Sequence, residues 1–231
     1  MDYQKNLKYF KSTDTHYYVG LPIFAVGAIF FVMAYIFWTY LFWYQDIVGI
    51  VLMIAGALIA FVPRSLRSSE KDIDDAVTEM TKDYEKNQAE MLGIVPQLTR
   101  GEPKPLLVGT YVYDENSLLR RGKTDRKFRS DRYHASAFLF TKQGFCISEK
   151  IFSLIEDRTE ENIREFHYAD IDGLFIETHE HLFANGEKTT VADLVIKTGE
   201  TALLALPVTQ SAALDKTLEE VNTRIRRFKN A

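Results

Sequence analysis

Three rhythms of apolar and polar positions follow one another along this chain. Residues 17–45 hold no Asp, Glu, Lys or Arg, and after Asp46 none returns until Arg64. From there the text is charged, with Leu66, Ile73, Val77, Met80, Tyr84 and Met91 recurring at helical intervals. Beyond residue 105 apolar and polar positions alternate in short runs, which predicts strands over residues 107–113, 133–141, 145–149, 165–168, 174–181, 189–197 and 201–206. The turn pairs Asn185-Gly186 and Thr198-Gly199, and the link Lys142-Gln143-Gly144, fall between these runs. After Pro207 a helical period returns through Leu214, Leu218, Val221, Ile225 and Phe228.

The uncharged third predicts a transmembrane hairpin over residues 17–63, preceded by a cytoplasmic segment, residues 1–16. Residues 19–42 make about 36 Å of helix at about 1.5 Å per residue, enough for a hydrocarbon core of about 30 Å. Residues 47–62 make only about 24 Å, so the second span follows chiefly from the first. Trp43-Tyr44-Gln45-Asp46 is the expected turn. A cleaved signal peptide has an apolar stretch of about 7–15 residues, so the longer run is read as retained. Tyr17 and Tyr18 mark one interface; Trp38, Tyr40, Trp43 and Tyr44 mark the other. Lys5, Lys8 and Lys11 precede the hairpin and Arg64, Arg67 and Lys71 follow it, which puts both termini in the cytoplasm of a multi-pass (bacterial inner) membrane protein. Gly20, Gly27 and Ala34 share one helix face, and Gly49, Gly56 and Ala60 share another. Small residues so placed let helix backbones approach closely, against each other or against a membrane-protein partner. Neither span carries an ionisable residue inside it, which argues against a pore or pump made by this chain alone.

Residues 64–95 read as a cytoplasmic amphipathic stalk. Ser68 or Ser69 and the acidic residues after them suit a helix start, and Gly93 and Pro96 suit its end. Its apolar stripe either packs on the chain's own domain or forms a homo-oligomer seam that Asn87 and Gln88 interrupt. Gly101-Glu102-Pro103-Lys104-Pro105 is a linker by composition.

Seven strands and a closing helix over residues 105–231 resemble the bacterial pleckstrin-homology-like and GRAM-type domains. Three pieces carry the likeness: residues 137–147 (AFLFTKQGFCI), residues 166–174 (FHYADIDGL) and residues 193–200 (DLVIKTGE). The long segment 114–132 departs from the pattern as an insertion between the first two strands. Over residues 105–229 the resemblance implies a seven-stranded antiparallel barrel or sandwich capped by a C-terminal helix, and with the hairpin and helical stalk the chain reads as an α+β membrane protein. Domains of this kind bind lipid or peptide, or serve as scaffolds, so the fold alone does not fix a function.

Net charge is −4, but residues 118–132 carry Arg120, Arg121, Lys123, Arg126, Lys127, Arg129 and Arg132 against Asp125 and Asp131 only. Such a cluster near a negative leaflet gains about 1 kcal/mol per basic residue, which marks these seven as candidates for binding anionic lipid headgroups or an acidic protein. Nucleic acid is excluded for want of stacking aromatics and a broader basic face. His179 and His181 share a strand face, but two ligands do not make a metal site, and no metal or cofactor is expected. The single Cys146 permits no internal disulfide. There is no Gly-x-Ser-x-Gly elbow, phosphate-cradling loop or convergent acid–base set, and no catalytic residue is expected. The expected function is a non-enzymatic, membrane-anchored adaptor or accessory subunit. Its alternatives are a structural subunit of a transporter or other membrane complex, held through the hairpin, and, less favoured, a membrane-associated enzyme.

Overall fold

A computed structural model describes residues 1–12, 15–36, 43–91, 104–183 and 186–230. The chain is α+β and divides into two compact units, Asp2–Asp72 and Ile73–Ala231.

The first unit holds α1 (Tyr3–Lys11), α2 (Thr15–Ile36) and α3 (Trp43–Ser65). Its first helix lies within residues 1–16, the segment that precedes the hairpin. The Asp2 carboxylate caps α1 by accepting from the Lys5 amide at 3.1 Å, and Asn6, Tyr9 and Phe10 are buried. Three bonds tie α1 to the chain after α3: the Ser68 hydroxyl donates to Asn6 Oδ1 (2.6 Å), the Ser68 amide to the Lys5 carbonyl (3.2 Å), and Arg67 to the Ser12 hydroxyl (2.8 Å). With Ser68 so engaged, Ser69 starts the next helix in a reciprocal capping box. Its hydroxyl accepts from the Asp72 amide while Asp72 accepts from its own amide, which holds the Asp72 carboxyl below its usual pKa.

Two segments, Thr15–Met33 and Asp46–Pro63, are long and apolar enough to cross a membrane. Residues 43–46, the expected turn, are the first turn of α3 instead, where Asp46 suits the positive helix end. The expected first span runs on through residues 37–42, which lie outside the described residues. Gly20, Gly27, Gly49, Gly56 and Ala60 are buried where α2 meets α3. A Cβ on Gly20 would stand 2.6 Å from the Ala60 nitrogen, and one on Gly56 2.4 Å from the Phe24 nitrogen, so the backbones touch where only glycine fits. The Ala34 side chain is outside the described residues. Val26, Ile29, Val32, Val51, Ile54 and Leu58 are exposed on the two helices.

The second unit begins within α4 (Glu70–Met91). Its strands are β1 (Leu106–Tyr111), β2 (Leu119–Arg121), β3 (Phe128–Ser130), β4 (Arg132–Phe140), β5 (Gly144–Ser153), β6 (Thr159–His167), β7 (Gly173–Leu182), β8 (Lys188–Thr198) and β9 (Thr201–Val208), and α5 (Ala212–Lys229) follows. They form antiparallel sheets in the orders β1-β4-β5-β6 and β7-β8-β9, with β2-β3 a separate hairpin. Seven of these strands are those the alternation predicts. The other two arise inside the segment read as an insertion, where the pattern is masked by charge.

Alternation decides what each face of β4 and β5 buries. Phe138, Phe140, Phe145 and Ile147 point into the main core with Leu194, Ile196, Leu204 and Leu206, and α5 closes it with Leu214, Leu218, Val221 and Ile225. Asn222 of α5 accepts from the Leu174 amide and donates to its carbonyl, both at 2.8 Å, fixing the helix to β7. The opposite face presents Ala135, Ala137 and Phe152 to Met80 and Tyr84 of α4. The stalk stripe thus packs on the chain's own strands, and the Tyr84 hydroxyl, pushed up to about 12 by burial, donates to the Ser148 carbonyl at 2.7 Å.

Candidate functional site

The basic segment folds because its charges alternate with residues that have apolar or hydrogen-bonding work to do. Phe128 packs on Phe183 with ring centroids 4.4 Å apart and planes tilted by 36°, Arg121 lies over the Phe128 ring, and the Tyr113 hydroxyl donates to the Phe128 carbonyl at 3.0 Å. The turn closes through the Gly122 amide to the Lys127 carbonyl (2.8 Å) and the Lys127 amide to the Asp125 carboxylate (3.1 Å). Arg126 adopts a left-handed conformation with φ of 60°, which only glycine, asparagine and aspartate enter readily. An arginine held there costs local strain that the surrounding turn must offset.

Arg129 sits apart from this exposed tip. Its side chain is 2% exposed and its guanidinium is gripped on two edges by carboxylates. Nε and Nη2 donate to Asp74 of α4 at 2.8 and 2.7 Å, and Nη1 and Nη2 donate to Asp125 at 3.2 and 2.7 Å. The Tyr111 hydroxyl adds a bond to Asp74 at 3.0 Å. Hydrogen bonds from Arg129 pull Asp125 down to about 2 and lower Asp74 as well. Burial, then the charge of Asp74, raises Tyr111, and burial pushes Tyr113 up to about 12.

Around this cluster opens a groove of about 630 Å³. Asp74, Val77 and Thr78 of α4 line one part of it, Tyr111, Tyr113 and Tyr133 supply aromatic surface, and Arg121, Arg126, Lys127 and Lys188 supply cations. Arg121 pairs with Glu187 at 2.6 Å and Lys188 with Glu180 at 2.8 Å. Arg126 and Lys127 are exposed, and no ion pair joins either to a carboxylate among the described residues.

The seven basic candidates therefore separate. Arg121, Arg126, Lys127 and Arg129 line the groove; Arg120 is half-buried on β2 and Lys123 exposed in the turn. Arg132 belongs to β4, pairs with Asp114 at 2.6 Å, and borders a different cavity of about 300 Å³ with Arg158 and Glu160. Arg129 does not present its charge to solvent, because two carboxylates consume it. Sequence reasoning missed Asp74, Tyr111 and Lys188. Asp74 follows Ile73 on the stripe of α4, so its side of the helix was legible, but its partner 55 residues away was not.

His179 faces Asp193 at 3.5 Å, and His181 packs on Phe183. Among the described residues no cluster of three or more His, Cys, Asp or Glu is placed to hold an ion. Comparisons with protein-family models, with curated proteins and with solved structures returned no match.

Proposed function

We propose that this chain is a non-enzymatic, membrane-anchored adaptor. In this reading α2 and α3 cross the membrane as a hairpin with both termini cytoplasmic, and the strand-rich unit is a pleckstrin-homology-like domain. Its β2–β3 tip engages the anionic inner leaflet. Arg126 and Lys127 carry the reading: they are exposed on an ordered turn, at the mouth of a groove, without an ion-pair partner among the described residues.

Several features support the parts of the proposal. A four-stranded and a three-stranded antiparallel sheet followed by one amphipathic helix match the arrangement on which the resemblance rests, with β2–β3 as the insertion. The exposed Val, Ile, Phe and Leu side chains of α2 and α3 suit lipid contact, since each gains about 1.5–3 kcal/mol on leaving water. Asp74 and Asp125 are committed to Arg129, whose hydrogen bonds hold both carboxyls below their usual range.

The test uses the full chain in phosphatidylcholine nanodiscs, captured by vesicles with and without phosphatidylserine. Capture by the anionic vesicles should fall at least tenfold in an Arg126→Glu, Lys127→Glu variant, which reverses two charges each worth about 1 kcal/mol at the surface. Unchanged capture refutes the lipid reading, and wild-type protein that ignores anionic vesicles points to an acidic protein partner instead. A second reading, an accessory subunit of a membrane complex, has to use the outward apolar faces of the hairpin, because the glycine faces already contact each other. Mild-detergent purification from the native membrane with a stoichiometric membrane protein alongside would favour it.

A further inference from the structure

Two carboxylates stand among the cations of the groove, and an anion-binding surface has no need of them. Asp125 belongs to the hairpin that carries the cations. Asp74 is brought in by another element, α4, and reaches the same guanidinium. The contact is uneven: Arg129 is 2% exposed, while the Asp74 side chain remains 49% exposed along the groove. An incoming phosphate or carboxylate at Arg126 and Lys127 meets like charge from Asp74, which lines the same groove.

We infer that Asp74 is an internal competitor, so that docking of α4 lowers the affinity of the hairpin for an anionic lipid surface and binding of that surface loosens α4. The inference rests on the lipid reading above. It follows from linkage, because the Asp74 charge that docks α4 on Arg129 also repels an anion at Arg126 and Lys127, and two processes that oppose each other must do so reciprocally. The rest of the α4 contact allows it. Beyond Asp74, Met80 and Tyr84 pack against Ala135, Ala137 and Phe152, the Tyr84 hydroxyl bonds Ser148, and the Lys150 ammonium lies over the Tyr84 ring, none of them through Arg129. The Asp74 contact can release while Met80 and Tyr84 stay seated.

Asp74→Asn in the full chain, again in phosphatidylcholine nanodiscs, removes the competing charge. Its affinity for phosphatidylserine vesicles should rise about fivefold, the effect of one charge near such a surface. Asp75→Asn is the control, since Asp75 is an exposed neighbour on the same helix and changes net charge equally without touching Arg129. It should change affinity by less than about twofold. Tyr84→Phe loosens α4 with no change of charge and should also tighten binding, which keeps the test intact if Asp74→Asn misfolds. In the wild type, hydrogen exchange of the α4 amides should quicken with anionic vesicles and not with neutral ones. Equal effects of Asp74→Asn and Asp75→Asn, or α4 exchange indifferent to anionic vesicles, overturn the inference while leaving the lipid reading standing. Failure of the Arg126→Glu, Lys127→Glu variant to weaken capture overturns both.

Discussion

Replacing Arg129 by Met keeps most of the side-chain volume and deletes the cation that joins Asp74 of α4 to the β2–β3 hairpin. Four donor contacts vanish, two to Asp74 and two to Asp125. Breaking a buried pair from one side costs about 3–5 kcal/mol, because the partner is stranded without a counter-charge. Here Asp74 and Asp125 are 49% and 31% exposed and can rehydrate, so the loss should be about 2–3 kcal/mol. With a urea dependence of about 1–3 kcal/mol per molar, the unfolding midpoint drops by about 1 M. Both tryptophans, Trp38 and Trp43, precede this unit in sequence, so indole fluorescence does not report on it. Hydrogen exchange of α4, β4 and β5 amides against urea does. Pairing the change with Asp74→Asn closes a double-mutant cycle whose coupling should exceed about 1 kcal/mol. The same contact predicts a pH dependence. Both carboxyls are lowered in the folded chain, Asp125 to about 2, so their stabilisation is complete above the unfolded value near 4 and is lost as the pH falls through the lowered ones. Arg129→Met should flatten that acid limb. A loss under about 0.5 kcal/mol, or an acid limb unchanged by the substitution, would refute the reasoning.

Gly56→Leu places a Cβ 2.4 Å from the Phe24 nitrogen and should part the two helices, so the protein loses heat stability in mild detergent while Ile54→Leu, on an exposed position, does not. Asn222→Ala strands the Leu174 amide and carbonyl and should lower the stability of the second unit by about 2 kcal/mol in the same exchange experiment. In a Cys146→Ser background, Lys229→Cys should resist an impermeant thiol reagent in intact cells and react after lysis, whereas Gln45→Cys should react from outside. Labelling of Lys229→Cys in intact cells would reverse the proposed topology.

What the sequence alone determined is whatever depends on periodicity and local composition. An uncharged stretch long enough to span a bilayer, glycines every seven residues, seven alternating runs and a terminal amphipathic helix are all set by residues near each other in the chain, and each appears at about its expected place. Local signals also located the basic segment, though they described its charge and not its shape. The tertiary structure decided the rest. It made a hairpin of the insertion, because Phe128 found Phe183 and Tyr113. It seated Met80 and Tyr84 of the α4 stripe on Ala135, Ala137 and Phe152. It also divided seven similar cations into exposed, paired and buried ones, turning Arg129 from a surface candidate into the link between a helix and a hairpin. Charge is a property of the residue, but whether that charge meets water, a carboxylate or a ligand depends on partners brought together from distant parts of the chain, and no spacing rule records them.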